Sequence, residues 1–277
     1  MNGRKCAKPC YGNGRDMPLT FLSHQAPVVA MKLAWPRRLD GVALVVGSMA
    51  PDFPYVLYGT RFEFDAHAGG GFVAFAVPVS ALLAWLLRTH VAAVVFTLLP
   101  SSGALRLCDW RVLGTRRPPY ALTVVSAALG ALSHSLWDTF THDQRTGARL
   151  IPALRTPVFT HHGITVTVAR MLQYTGHIVG AVVTLALLRY VARERLLARW
   201  YGEAVLATPV PEVPAMHRRM FAVALAVAAV TGAAWGAGTA MSCLVLRVAA
   251  TVGVALLMVT FALRGHPAYQ VRVSEGA

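Results

Sequence analysis

His134, Asp138 and His142 recur at four-residue intervals in the segment Leu132-Ser133-His134-Ser135-Leu136-Trp137-Asp138-Thr139-Phe140-Thr141-His142, at the polar end of an apolar stretch. Four residues advance a helix by about 400°, so His134 and Asp138 share a face, and His142 drifts about 80° from His134. Neutral imidazole and ionised carboxylate are the usual nitrogen and oxygen ligands of zinc and similar ions, and an i, i+4 pair presents both to one ion. His142 lies about 12 Å along the axis from His134, too far to share that ion easily. It is the expected catalytic group, bracing a ligand, holding a second ion or carrying a proton.

Two ligands do not make a site. His24 in Leu22-Ser23-His24, Asp52 in Gly47-Ser48-Met49-Ala50-Pro51-Asp52, and His67 ahead of an apolar run each sit where an apolar stretch meets a polar turn. Taken alone, these three read equally well as ligands or as polar groups facing water. A polar group within a bilayer is costly and favours function, an argument that weakens at the interface.

Composition says what must position these residues. Of 277 residues, 56% are hydrophobic and 14% charged, whereas a soluble domain holds about a quarter charged residues. A membrane protein is the indicated class. The net charge of +14 does not point to nucleic acid, because the arginines fall in short clusters between apolar runs, as in cytoplasmic loops. A membrane lipid is the expected partner. Cys6, Cys10, Cys108 and Cys243 are scattered and read as unpaired thiols, since Cys6 and Cys10 have no further zinc ligands nearby.

A spanning helix needs about 20 apolar residues, or roughly 17 if flanking side chains snorkel. Residues 71–87, 119–140, 175–191, 220–240 and 243–263 meet this requirement, which predicts an all-α polytopic membrane protein of about five transmembrane helices. Two weaker stretches are expected as embedded segments: residues 41–58, broken by Pro51-Asp52-Phe53-Pro54, and residues 91–99, too short to span. Residues 1–16 read as a disordered basic leader with Met17 as the true start, residues 17–270 as one integral membrane domain, and residues 271–277 as a polar tail.

Arginines set the orientation. Arg106, Arg111, Arg116 and Arg117, then Arg189, Arg193, Arg195 and Arg199, then Arg218 and Arg219 can all be cytoplasmic, which puts the histidine end of the 119–140 helix outside. The loop over residues 141–170, with Arg145, Arg149, Arg155 and Arg170, would then be external, so the opposite orientation stays open. Gln173, His161, His162 and His177 fall on the side of His142 as outer contacts, a substrate pocket or plain interfacial groups. Glu63 and Asp65 read as loop acids, with a general base as the alternative. His90, His217 and His266 receive no role. The Gly- and Ala-rich helices at the C-terminal end suggest close packing, within the chain or between subunits.

The order of Leu-Ser-His24, Gly-Ser-Met-Ala-Pro-Asp52, His67 and Leu-Gly-Ala-Leu-Ser-His134-Ser-Leu-Trp-Asp138 resembles the bacterial membrane family called domain of unknown function 4184, as does the start Met17-Pro-Leu-Thr-Phe-Leu-Ser-His24. The resemblance runs from Met17 to about Leu263. More distantly, the pattern is similar to the membrane-bound metal-dependent hydrolases, and in ligand order to the zinc-dependent phospholipase C fold. It departs from the hydrolase pattern at Pro54, where a second acid is expected, and at His67-Ala-Gly-Gly-Gly, where that pattern has His-Arg-Gly-Phe-Thr-His.

The resemblance implies His24, Asp52, His67, His134 and Asp138 as ligands of a divalent metal, zinc first, in a hydrolase of the bacterial cell membrane. Phosphoester or lipid-like substrates would suit that location. The rival reading is a transporter or a scaffold with a structural ion. Internal repeats that would favour a transporter are lacking beyond the Leu-Ser-His at residues 22–24 and 132–134, and no phosphate loop or Gly-x-Ser-x-Gly occurs.

Overall fold

The computed structural model describes residues 22–67, 69–100, 103–115, 117–161, 164–203, 211–239 and 241–270. The expected leader with Cys6 and Cys10, the start at Met17, the tail and His162 lie outside them.

Five helices are long and apolar enough to cross a membrane. They are α3 (Gly69–Leu98), α4 (Tyr120–Thr141), α6 (Val168–Arg193), α8 (Ala215–Gly236) and α9 (Met241–Leu263, with its apolar span at Cys243–Leu263). Short helices fill the remainder: α1 (Gln25–Ala34), α2 (Gly41–Gly47), α5 (Thr146–Leu150) and α7 (Leu196–Tyr201). The protein is an all-α polytopic helical protein, and its one described sheet is an antiparallel hairpin, β1 (Pro157–His161) with β2 (Ile164–Thr167).

Residues 91–99 are not a separate segment. The sequence breaks its apolar run at Leu87-Arg88-Thr89-His90, whereas the structure carries α3 through this point in a π-helical turn, Leu87–Val91. The reason is Arg88, which is buried and ion-paired with the buried Asp40, so its charge needs no water and the helix need not end. At 30 residues, α3 is about 45 Å long. Residues 41–58 are broken as expected: α2 is capped by the Asp40 carboxylate, which accepts from the Val42 and Ala43 amides, and Ala50–Leu57 continues as a 3₁₀ helix with Pro54 inside it.

Glycine seats α2 on α4. A Cβ at Gly130 would lie 2.3 Å from the Leu44 carbonyl oxygen, and one at Gly47 would lie 2.3 Å from the Ala127 carbonyl oxygen. Nothing larger fits at either crossing, and the close approach brings Ser48 alongside His134. In the α8–α9 pair a Cβ at Gly232 would come 2.5 Å from the Val248 Cα, so at least part of the small-residue face packs within the chain.

If each long helix crosses once, the alternation places the arginine clusters near 106–117, 189–199 and 218–219 on one side. The C-terminal end of α4 and the N-terminal ends of α3 and α6 then share the other side, where His67, Asp138, His142, Gln173 and His177 fall.

Candidate metal centre

Three segments converge at that end of the bundle. The 3₁₀ helix after α2 carries Asp52, the turn before α3 carries His67, and α4 carries His134 and Asp138 on one face, as their spacing predicts. His134 is seven residues from the end of α4, or about 10 Å. Among the described residues, Asp52, His67, His134 and Asp138 are all buried and bring one donor atom each within 4.8 Å of one another.

The spacing of those donors is informative. His67 Nε2 lies 3.2 Å from Asp52 Oδ1 and 3.5 Å from Asp138 Oδ2, and His134 Nε2 lies 3.4 Å from each of the same two oxygens. An ion bound tetrahedrally at about 2.0–2.1 Å keeps its ligand atoms about 3.3–3.4 Å apart.

Tautomers point the same way. His134 Nδ1 lies 2.9 Å from the Ser48 carbonyl oxygen, which can only accept, so the ring donates there and a neutral His134 turns the lone pair of Nε2 toward two carboxylates. That nitrogen is buried and makes no hydrogen bond. His67 Nδ1 lies 2.7 Å from Asp65 Oδ1, in the carboxylate–imidazole relay that steadies metal-binding histidines. The His134 nitrogen facing two carboxylates in a dry pocket suits a cation between them.

Without an ion, the carboxylates take their counter-charge from an imidazole proton. Burial would push the Asp52 carboxyl up, but His134 and His67 outweigh it and hold it well below the usual carboxylate range. Burial opposes charge on His67, and Asp138, Asp52 and Asp65 outweigh it, so its pKa lies well above the ordinary imidazole value. Burial, reinforced by His134, takes His24 down to about 3, so His24 is a neutral imidazole near pH 7.

His24 stands beside the four. Its ring stacks on His134 with centroids 4.2 Å apart, and its Nε2, buried and without a hydrogen bond, lies 3.7 Å from Asp138 Oδ1. Leu22 takes a left-handed backbone, φ 75°, to bring the chain in, and the Thr184 hydroxyl donates to its carbonyl at 2.6 Å. Gly180 permits that approach, because a Cβ there would come 2.7 Å from the Ser23 carbonyl oxygen.

His142 is the C-cap of α4 in extended conformation, so its ring folds back along the helix. Its Nδ1 lies 3.2 Å from the Asp138 carbonyl oxygen and donates to it, and its Nε2 accepts from the Gln173 amide at 2.7 Å. Both ring nitrogens are engaged, which suits a bracing group. The sequence also leaves Asp65 as a loop acid, whereas the structure makes it the partner of both the His67 ring and the His67 backbone amide, itself held by Arg145 at 3.2 Å. The Asp-x-His spacing was the available signal. Of the other flanking histidines, the side chain of His161 lies outside the described residues, and His177 packs 6.2 Å from the His24 ring.

Asp65→Ala is expected to weaken zinc binding about 10- to 100-fold, the usual effect of losing a carboxylate that orients a ligating imidazole. Competition titration against a chromophoric chelator checks this, and an unchanged affinity would mean that His67 is not a ligand.

No curated protein and no solved structure matches the chain. The family model described as Domain of unknown function (DUF4184) matches residues 17–264, and the chain belongs to that family.

Proposed function

We propose that the protein is a metal-dependent hydrolase of the bacterial cell membrane, with a divalent ion, zinc the best fit, held by Asp52, His67, His134 and Asp138. The observation that carries this reading is the donor set itself: two buried imidazole nitrogens, each 3.2–3.5 Å from the same two buried carboxylate oxygens, with no cysteine among them. Structural zinc sites are built mainly from cysteine, whereas catalytic sites use histidine and carboxylate. A bound ion supplies Lewis acidity, polarising a phosphoryl or acyl oxygen and bringing the pKa of a water toward neutrality.

The remaining roles belong to side chains. Asp65 and the Ser48 carbonyl fix the tautomers of His67 and His134. His142 holds a proton on Nδ1 and, once Gln173 moves aside, takes or gives one at Nε2. A site about 10 Å from the end of α4 suits a phosphoester or ester carried by an amphiphile. A structural ion is the second reading, favoured by four protein donors, the number that fills a four-coordinate shell without water.

The test is metal content of detergent-purified protein, followed by assay of phosphoester and carboxylic ester lipids with and without a chelator. Stoichiometric zinc with chelator-sensitive turnover supports the hydrolase. Stoichiometric zinc with no turnover and a large chelator-induced loss of thermal stability supports the structural ion, and no metal after zinc incubation rejects both.

A further inference from the structure

The α8–α9 hairpin packs on the bundle through Phe221, Val259 and Leu263, against the last turns of α3, and through Arg247, which donates to the Val56 and Tyr58 carbonyls. Beside that contact the two helices leave an open groove of about 870 Å³ between them. Small residues, Ala224, Ala228 and Ala255, form its floor, and Val223, Val254 and Met258, each more than half exposed, form its rims. The lining is apolar but for Thr231 and Thr251, and the Thr251 hydroxyl is turned onto the Ala228 and Arg247 carbonyls at 2.8 and 3.0 Å. From Met220 to Trp235 the groove runs about 22 Å, which exceeds one leaflet of a hydrocarbon core about 30 Å thick.

The two ends of the groove differ in charge. At one end Arg218 and Arg219 come just ahead of Met220, and Arg264 follows Ala262 by two residues. The helices are tied together there, since His217 Nδ1 lies 2.9 Å from the Tyr269 hydroxyl and the His217 ring meets His266 edge-on at 4.9 Å. All three arginines are exposed, and among the described residues none is in an ion pair. Glu212, the closest described acid in sequence, lies on the far side of Pro214 from them. At the other end the Arg247 guanidinium is spent within the fold, over the Trp235 ring at 5.0 Å and donating to the Trp235 carbonyl at 3.0 Å. An apolar trough with unpaired positive charge at one end complements an acyl chain joined to a phosphate. We propose that this groove binds an anionic phospholipid, its acyl chain along Ala224, Ala228 and Ala255 and its phosphate among Arg218, Arg219 and Arg264. A second copy of the chain fits this face less well, because a twofold axis along the membrane normal would set one arginine trio against the other at the same depth. The groove's basic end lies on the side of the bundle opposite the metal centre, so the proposal stands independently of that reading.

The experiment compares two lipids that share their acyl chains. Full-length protein is exchanged into detergent micelles holding equal amounts of palmitoyl-oleoyl phosphatidylglycerol and palmitoyl-oleoyl phosphatidylcholine, and native mass spectrometry counts the lipids retained. The expected result is a preference of about tenfold or more for phosphatidylglycerol, since each arginine near an anionic headgroup contributes about fivefold. Arg218→Gln with Arg219→Gln and Arg264→Gln should bring the ratio close to one, and Ala255→Phe, which fills the groove, should lower retention of both lipids. Arg189→Gln with Arg193→Gln, at the same side of the bundle on α6, should leave the ratio native. Circular dichroism verifies folding, and Arg219→Gln alone, with about a fivefold smaller ratio, serves if the triple variant does not fold. Equal retention of the two lipids by the native protein overturns the proposal, as does a native ratio in the groove arginine variants or native retention in Ala255→Phe. An equal fall in the α6 variant would reduce the effect to a general attraction to the basic side and overturns it too. A dimer in lipid-depleted detergent that Ala255→Phe breaks would give the groove to a second copy and overturn the lipid as occupant.

Discussion

On the proposed metal centre, His134→Ala is expected to abolish zinc binding, lowering affinity by more than the roughly 100-fold that loss of a supporting partner can cause. His134 is fully buried, its Nδ1 is spoken for by the Ser48 carbonyl, and its Nε2 is 3.4 Å from an oxygen of both Asp52 and Asp138. Its removal therefore deletes one of the four donors and leaves two buried carboxylates with one imidazole fewer between them. It also strands the Ser48 carbonyl, a cost of about 1–3 kcal/mol. The metal-free variant should melt below the metal-free native protein. Adding Asp138→Ala should recover part of that loss by relieving the repulsion, without recovering zinc. Elemental analysis and thermal unfolding in detergent read both effects. Native zinc content in His134→Ala would remove the four-donor site altogether.

The part of this centre that the sequence reveals is the part written in helical periodicity. His134 and Asp138 can be paired from spacing because one helix carries both, and the five spans follow from length and apolarity alone. His24, Asp52 and His67 come from segments far apart in the chain, so residue type alone leaves each ambiguous, and it is resemblance that joins them. Asp52, His67, His134 and Asp138 come together in the structure, with His24 against their edge.

Asp65, Gln173, Arg145 and the Ser48 carbonyl are harder to read. Each acts through a tertiary contact, such as Arg145 on Asp65 across 80 residues or Ser48 on His134 across 86. The apolar run breaks at Arg88 in sequence for a related reason: a hydropathy window counts the charge and cannot see Asp40, 48 residues earlier, that neutralises it.

Asp40→Ala should cause the largest loss of stability at any site remote from the metal centre, about 3–5 kcal/mol, the usual cost of leaving one partner of a buried ion pair uncompensated. Asp40 does several things at once. Its Oδ1 accepts from the Val42 and Ala43 amides at 3.0 and 3.3 Å and pairs with Arg88, and its Oδ2 accepts from the Thr123 hydroxyl at 2.9 Å. One carboxylate thus caps α2 and ties it to α3 and α4. Lys32 completes the same corner, donating to the Pro36 and Leu39 carbonyls of the turn between α1 and α2, with its ammonium over the Trp200 and Tyr201 rings.

Arg88→Met should cost less than Asp40→Ala, because Asp40 keeps both amides and the Thr123 hydroxyl. Asp40→Asn with Arg88→Met should be milder than Asp40→Ala, since it removes both charges and retains the cap. Thr123 lies 11 residues before His134 on α4, about 16 Å along the axis. Arg88→Met protein that remains folded should therefore bind zinc as the native chain does. Denaturant unfolding in detergent gives the ranking, and an Asp40→Ala loss within about 0.5 kcal/mol, the size of an ordinary surface change, would show that the pair does not hold these helices together.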